Sequence, residues 1–167
     1  MSDIPEDDDD PPFASPDIRL NYEAALGRFV LEFNQVDNLL GTLINTVLRR
    51  LGRSDLAEKS ARWDFWLKVL VLDLLKSSTE GGGLQDISAS ALTNIAKERN
   101  KLAHGYFDQN PFSGDYDIVV RNVPQQYSVE KLNALTKEAN ELWTALRCAE
   151  GYYAFKYASD TELTISN

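Results

Sequence analysis

The chain has 167 residues and a mass of 18.8 kDa, a size that fits one domain with a single core. It is 43% hydrophobic and 26% charged, in the range of ordinary globular proteins, and its formal net charge is −9. That charge argues against binding duplex DNA through bulk electrostatics. The single cysteine, Cys148, excludes an internal disulfide and a cysteine-based zinc site. Because no signal peptide or apolar run of about 18 residues is seen, the sequence predicts a cytoplasmic protein without a membrane span.

The negative charge is concentrated at the N-terminus. Residues 1–17 hold seven acidic residues, four prolines and no basic residue. Such a segment cannot bury enough apolar surface to offset its ordering entropy, so the composition predicts a disordered acidic arm. The rest of the chain holds 19 acidic and 17 basic residues, so a locally basic site is compatible with it. The arm either solubilises the terminus or folds over such a site.

Four helical segments are predicted in chain order. The first covers about residues 20–51, where apolar residues recur at spacings of three and four. The second covers residues 60–76 with Ser60 as its N-cap, and the third covers about residues 84–103. The last begins after a capping serine, Ser128.

The helical period breaks over residues 105–127, where turn dipeptides flank a β-like run. The sequence therefore predicts an all-α fold, an up-and-down bundle of four to five helices with a small β-hairpin-like insertion near residues 106–122. The predicted organisation is an acidic arm over residues 1–17, a helical bundle over residues 18–158 and a flexible tail over residues 159–167.

The second predicted helix is apolar on more than one side. It carries Trp63, Trp66 and many leucines, more apolar surface than one bundle face can bury. A helix of this kind lies at the centre of a bundle or in a subunit interface. Together with a histidine that projects off the core, this favours a symmetric homodimer.

Two charged residues interrupt the apolar stripes. Asp37 lies seven residues after Val30 and seven before Ile44, so it is expected along the core face of the first helix. A buried carboxylate needs a cationic or hydrogen-bonding partner. Arg99, at the edge of the third helix's stripe, is the candidate, because arginine keeps its charge and pairs with carboxylates through a planar fork. An Asp37–Arg99 contact is therefore expected.

The only histidine, His104, follows Arg99 by five positions. On a helix it lies about 140° around from Arg99 and on the same face as Asn100. Gly105 then allows the helix to end. Lys97 and Lys101 flank the histidine, so the spacing predicts an off-core histidine in a basic neighbourhood.

The segment Arg99-Asn100-Lys101-Leu102-Ala103-His104 resembles the signature of HEPN domains, an arginine followed four to six positions later by a histidine. The opening helix is also similar to that of HEPN-like proteins, in which an acidic residue at the place of Asp37 lies within the apolar face. The similarity covers roughly residues 20–155.

The resemblance implies a metal-independent endoribonuclease without a cofactor, which acts as a homodimer in a toxin–antitoxin or phage-defence setting. The expected partners are an RNA substrate and an antitoxin protein. His104 would be the general acid or base, Arg99 would stabilise charge on the phosphate, and Asn100 would orient either the histidine or a phosphate oxygen. Asp37, Lys97 and Lys101 would support the site. Tyr106 and Phe107 could stack on bases, although closure of a hydrophobic cap by these rings and by Tyr116 and Tyr127 is the favoured alternative.

Two other functions stay open from the sequence. A catalytically silent HEPN-like dimer, serving as a binding or regulatory module, fits the modest charge of the body. The other hypothesis is a nucleotide-binding protein that assists a nucleotidyltransferase.

Overall fold

A computed structural model gives the fold over residues 13–79 and 83–162, with side chains described as far as residue 155. These residues form a helical bundle with one small sheet, which confirms the predicted fold class. The elements, in chain order, are α1 (Pro16–Arg50), α2 (Ser54–Ser60), α3 (Phe65–Ser78), a single 3₁₀ turn (Leu84–Asp86), α4 (Ala89–His104), β1 (Tyr106–Gln109), β2 (Tyr116–Val120), β3 (Val123–Gln126) and α5 (Val129–Glu162).

The first helix begins inside the segment that was expected to be a disordered arm. Ser15 is the N-cap, and its hydroxyl oxygen accepts a hydrogen bond from the amide of Asp17 at 3.3 Å. Pro16 follows at the first helical position, where its fixed φ suits the helix and its missing N–H costs nothing. Residues 1–12 of the predicted arm lie outside the described residues.

The predicted N-cap at Ser60 is wrong. Ser60 ends α2, a short helix that was not predicted from the sequence. The hydroxyl of Ser60 donates to the carbonyl oxygen of Ala57 at 2.7 Å. The next helix is α3, which is capped by Asp64, whose carboxylate accepts from the amide of Leu67 at 2.8 Å. The predicted helix over residues 60–76 is therefore α3, which begins at Phe65, five residues later than expected, and α2 precedes it.

The other helix boundaries follow from capping serines. Ser88 caps α4, accepting from the amide of Ala91 at 3.2 Å, so the predicted start at residue 84 falls in the 3₁₀ turn. Ser128 accepts from the amide of Lys131 at 3.2 Å and begins α5 as predicted. The helix α5 runs to Glu162, into the expected tail, and residues 163–167 lie outside the described part of the chain.

The helices alternate in direction. Arg28 hydrogen-bonds Asn133 near the starts of α1 and α5, and Arg50 lies over the ring of Tyr153 far along both helices, so these two helices run parallel. Phe33 contacts Phe65, at the start of α3, while the end of α1 lies beside the end of α3. Thus α1, α3 and α5 point one way and α2 and α4 return, as the predicted up-and-down topology requires.

The core has two parts along the length of α1. The larger part joins the second half of α1 to α2, α3, the first half of α4 and the later part of α5. The smaller part lies under the sheet, where the start of α1 and the start of α5 meet the end of α4. The fully buried side chains of this smaller part include Phe29, Ile118, Tyr127 and Leu132. The sheet therefore covers one end of the bundle.

The sheet is antiparallel with the order β1-β2-β3. Strands β1 and β2 confirm the predicted insertion near residues 106–122, and β3 is an additional edge strand that carries Pro124. Arg121 and Asn122 form the two-residue turn between β2 and β3, with φ angles of 52° and 64°. Positive φ at both positions is typical of a type I′ turn, which matches the twist of a hairpin.

Candidate functional site

A cleft of about 860 Å³ lies between α4 and the sheet. Its second wall is formed by β2, β3 and the turn between them, where Val120, Val123 and Gln125 share one face of the ladder. His104 is exposed at the end of α4. The α4 residues that line the cleft recur at helical spacing along one face and are Asn94, Lys97, Glu98, Asn100, Lys101 and His104.

Gly105 determines how closely the sheet approaches the end of α4. Its amide donates to the carbonyl oxygen of Lys101 at 2.8 Å, which ends the helix. A Cβ at this position would overlap Cγ2 of Ile118 and lie 3.2 Å from Cγ2 of Val120. Carbon atoms pack at about 3.5–4.0 Å, so only glycine allows β2 to lie against the helix end here. The shape of the cleft therefore depends on Gly105.

The cleft concentrates positive charge in an otherwise acidic chain. Among the described residues, its walls hold Lys97, Lys101 and Arg121 but only one carboxylate, that of Glu98. Lys101 is paired with Glu98 at 2.6 Å. Within residues 13–79 and 83–155, Lys97 and Arg121 have no side-chain hydrogen bond or ion pair. Two cations are therefore available to an anionic ligand.

Glu98 ties the α4 wall of the cleft to the rest of the fold. Besides Lys101, its carboxylate accepts a hydrogen bond from the buried hydroxyl of Tyr127 and lies 3.4 Å from the ammonium of Lys131. Burial alone would raise the pKa of Glu98, but the hydrogen bonds from Lys101 and Tyr127 and the nearby charge outweigh burial, so its pKa lies below the ordinary value. Burial and the hydrogen bond to Glu98 raise the pKa of Tyr127 above its ordinary range.

The structure brings together some of the sequence-predicted site residues. Asn100 and His104 line the same cleft, as their helical spacing predicts. Arg99 is half-buried on another side of α4: its guanidinium lies 5.6 Å from the ring centre of Phe33, and Nη1 donates to Oδ1 of Asn100 at 3.3 Å. Arg99 is not part of the cleft lining, so Asn100 is its only direct link to the cleft among the described contacts.

The expected Asp37–Arg99 contact is replaced by a different ion pair. Oδ1 of Asp37 lies 2.6 Å from the ammonium of Lys68 on α3, which also donates to the carbonyl oxygen of Asp37 at 3.4 Å. The Asp37 side chain is 35% exposed and that of Lys68 only 11%, so the buried partner is the lysine. The end of the lysine side chain lies over Gly41, where an added Cβ would be in van der Waals contact with Nζ at 3.4 Å. Asp37 therefore stabilises the bundle and lies outside the cleft.

The aromatic residues near the histidine mostly close the end of the bundle. Tyr116 stacks on Tyr22 with ring centres 4.1 Å apart, and Phe107 meets Tyr22 edge-on at 6.0 Å. Tyr127 is fully buried, so it cannot stack on a base. Tyr106 pairs with Val119 and lies on the sheet face opposite to the cleft walls, although it is exposed. The hydrophobic cap, rather than base stacking within this cleft, is the observed arrangement.

Sequence reasoning missed Lys68, Arg121 and Glu98. Lys68 carried a signal, because it is the only charge inside the apolar run from residue 65 to residue 72. Arg121-Asn122 also carried one, as two polar residues between β-like segments are typical of a tight hairpin turn. Glu98 carried a signal only for its pair with Lys101, three positions on in the same helix, since its other partners come from α5 and from the loop before it.

The comparisons with known proteins do not identify a family for this chain. No family model, curated protein or solved structure matches this chain. Within the described ranges, no three His, Cys, Asp or Glu side chains lie together in a way that could hold a metal ion. None of the helices in that part of the chain is both long and apolar enough to cross a membrane.

Proposed function

We propose that this protein is a HEPN-like, metal-independent endoribonuclease. The observation that carries the proposal is the cleft beside α4, in which an exposed His104 and Asn100 lie among Lys97, Lys101 and Arg121 in a chain of net charge −9. A histidine beside unpaired cations suits a phosphodiester, because imidazole transfers protons near neutral pH and cations stabilise the charge that develops on phosphate.

In the proposed reaction, His104 accepts the proton of a ribose 2′-hydroxyl. The 2′-oxygen attacks the adjacent phosphorus, the bond from phosphorus to the 5′-oxygen breaks, and the leaving oxygen takes up a proton. The products are a 2′,3′-cyclic phosphate and a 5′-hydroxyl end. Asn100 orients the histidine or a phosphate oxygen, and Arg99 holds Asn100 through the contact between them. Asp37 has only a structural role.

The proposal includes a homodimer, in which the second copy of His104 supplies the proton for the leaving group. Its support is the outer face of α3, where Trp66, Leu67, Leu70 and Leu74 are all exposed. An apolar stripe of this kind on one helix face is typical of an interface. Light scattering should give a dimer at micromolar concentration, and Leu70→Lys should give a monomer, whereas Leu20→Lys, at an exposed leucine near the start of α1, should not. A strict monomer for the unchanged chain would rule out the shared site.

The test of the function is cleavage of RNA in excess EDTA by the unchanged protein and by His104→Ala. General acid–base catalysis contributes about 10²–10⁴-fold, so the variant should lose at least a hundredfold in rate. Asn140→Ala, at an exposed position on α5, is the matched control and should cut normally. Analysis of the new ends should find 2′,3′-cyclic phosphates. Equal cleavage by the His104 variant would end the proposal.

A second candidate is favoured by the position of Arg99. Because its guanidinium packs on Phe33 instead of lining the cleft, the chain could be a silent HEPN-like module that binds a partner through the same cationic cleft. This candidate predicts no cleavage under any condition, and a dimer and a cleft that persist in His104→Ala. The antitoxin partner and the toxin–antitoxin or phage-defence setting belong to the ribonuclease proposal.

A further inference from the structure

Arg121 occupies a backbone conformation that arginine rarely adopts. Its φ is 52°, in the left-handed region, at the first position of the turn between β2 and β3. Glycine, asparagine and aspartate dominate this position, because a larger side chain crowds the following carbonyl there. A residue held against such a preference points to a functional requirement for its side chain.

The same arginine stands across the cleft from the proposed catalytic wall. It lines the cleft together with Lys97 and His104, on the side opposite to α4. Its side chain is exposed and has no hydrogen bond or ion pair within residues 13–79 and 83–155. The five donors of a guanidinium are therefore free to bind two oxygens of one phosphate.

The cleft also limits what can carry that phosphate. Its volume of about 860 Å³ is that of a small-ligand site, which fits a short piece of one strand. Val120 and Val123 form an apolar patch on the sheet wall, against which a base or a sugar can pack. Gln125 and Asn94 add amide groups that can bond a base edge.

We propose that Arg121 is the phosphate-binding arginine of the cleft and that it holds a phosphodiester of single-stranded RNA opposite His104. This inference rests on the proposed function in its choice of ligand. It assigns to the hairpin turn the contact that the sequence motif assigns to Arg99, whose guanidinium lies against Phe33. The conformational free energy that the left-handed backbone of Arg121 costs is then offset by the free energy of binding the strand.

The test measures binding of a short, fluorescently labelled 2′-O-methyl oligoribonucleotide, whose blocked 2′-oxygen prevents cleavage. Arg121→Asn should weaken binding about tenfold or more. It should also lower the slope of log affinity against log salt by about 0.7, the value for one phosphate contact on a single strand. Because asparagine suits the turn, the same variant should melt about 2–4 °C higher than the unchanged protein.

Two further variants give the contrast. Arg62→Asn removes an exposed arginine between α2 and α3 and should leave affinity and salt slope unchanged. Arg121→Lys keeps the charge but not the fork, so it should keep the salt slope and lose part of the affinity. ATP is the second ligand, because a nucleotide-binding protein would prefer it. We expect ATP to bind more weakly than the oligonucleotide.

Several results would overturn the inference: no binding of the oligonucleotide, equal binding by Arg121→Asn and Arg62→Asn, or tighter binding of ATP. Its failure is distinguishable from failure of the proposed function. Arg121-dependent binding without any RNA cleavage would leave the inference standing and remove the ribonuclease. Cleavage that depends on His104 while Arg121→Asn binds and cuts normally would do the reverse.

Discussion

The Asp37–Lys68 pair and the cleft at His104 are two places where charge interrupts the packing of core helices, and they differ in how that charge is satisfied. Lys68 is almost fully buried, and its ammonium is held by two oxygens of Asp37. In the cleft, Lys97 and Arg121 have no partner within the described residues, and His104 is exposed. The first arrangement is closed, whereas the second is open to an anion.

The difference shows why charge on a core helix does not by itself indicate a functional site. A paired and buried charge mainly specifies how two helices fit together. A cation that remains unpaired in an acidic chain has charge available for a ligand. Changes at the pair should therefore alter stability alone, and changes in the cleft should alter binding.

The largest expected effect comes from adding a side chain at the contact between α4 and the sheet. Gly105→Ala should lower the free energy of unfolding by about 3 kcal/mol, because the new Cβ overlaps Ile118. It should also abolish oligonucleotide binding, since the sheet wall has to move away. Gly27→Ala is the matched control: nothing lies within 4 Å of its added Cβ, so it should stabilise α1 by about 0.5–1 kcal/mol. Urea unfolding measures both, and equal stability of the two variants would show that Gly105 does not constrain the cleft.

A smaller effect is expected from breaking the closed pair. Lys68→Met keeps the buried stem but leaves Asp37 without its cation, and it should cost about 1–2 kcal/mol because that carboxylate is partly exposed to water. Oligonucleotide affinity should not change. Lys59→Met, at an exposed lysine on α2, should stay within about 0.5 kcal/mol. Weaker oligonucleotide binding by the folded Lys68 variant would contradict the separation of the two regions.

The smallest effect concerns Glu98, which lines the open cleft but whose carboxylate is already bound by Lys101, Lys131 and Tyr127. Its pKa is lower in the folded than in the unfolded chain, so its stabilising contribution is present above the ordinary value of 4.5 and is lost as the pH falls through the folded pKa. Glu98→Gln should cost about 1 kcal/mol at neutral pH, and this cost should vanish in acid. Unfolding at several pH values, with Glu58→Gln as control, measures it. A difference that does not depend on pH would show that the carboxylate charge contributes nothing.

Much of the fold followed from periodicity and capping. The stripe on α1 and the cap at Ser128 are local signals, and local hydrogen bonds decide them, whereas the equally local cap at Ser88 was not predicted. Ser60 shows the limit of such signals: a serine that suits an N-cap equally suits a bond back to a preceding carbonyl. Asp64, four residues on, had the same capping chemistry and was the residue that acts as the cap.

The candidate site was only half accessible from the sequence. Helical spacing placed Asn100 and His104 on one face, because that geometry depends on α4 alone. The partner of Asp37 and the cation opposite His104 depend on how α3 and the hairpin pack, which no spacing within one helix specifies. The apolar stripes therefore paired Asp37 with Arg99, an arginine at the edge of another stripe, whereas in the structure the guanidinium of Arg99 packs on an aromatic ring.

The position of Lys68 over Gly41 has a consequence for how the bundle can assemble. Lys68 reaches Asp37 across this glycine, where an added Cβ would lie 3.4 Å from the ammonium. If α3 slid by one helical turn, about 5.4 Å, toward the start of α1, the ammonium would come beside Phe33 and lose both oxygens. One buried charge therefore disfavours the neighbouring register of these two apolar helices, and it does so without any gain in hydrophobic burial.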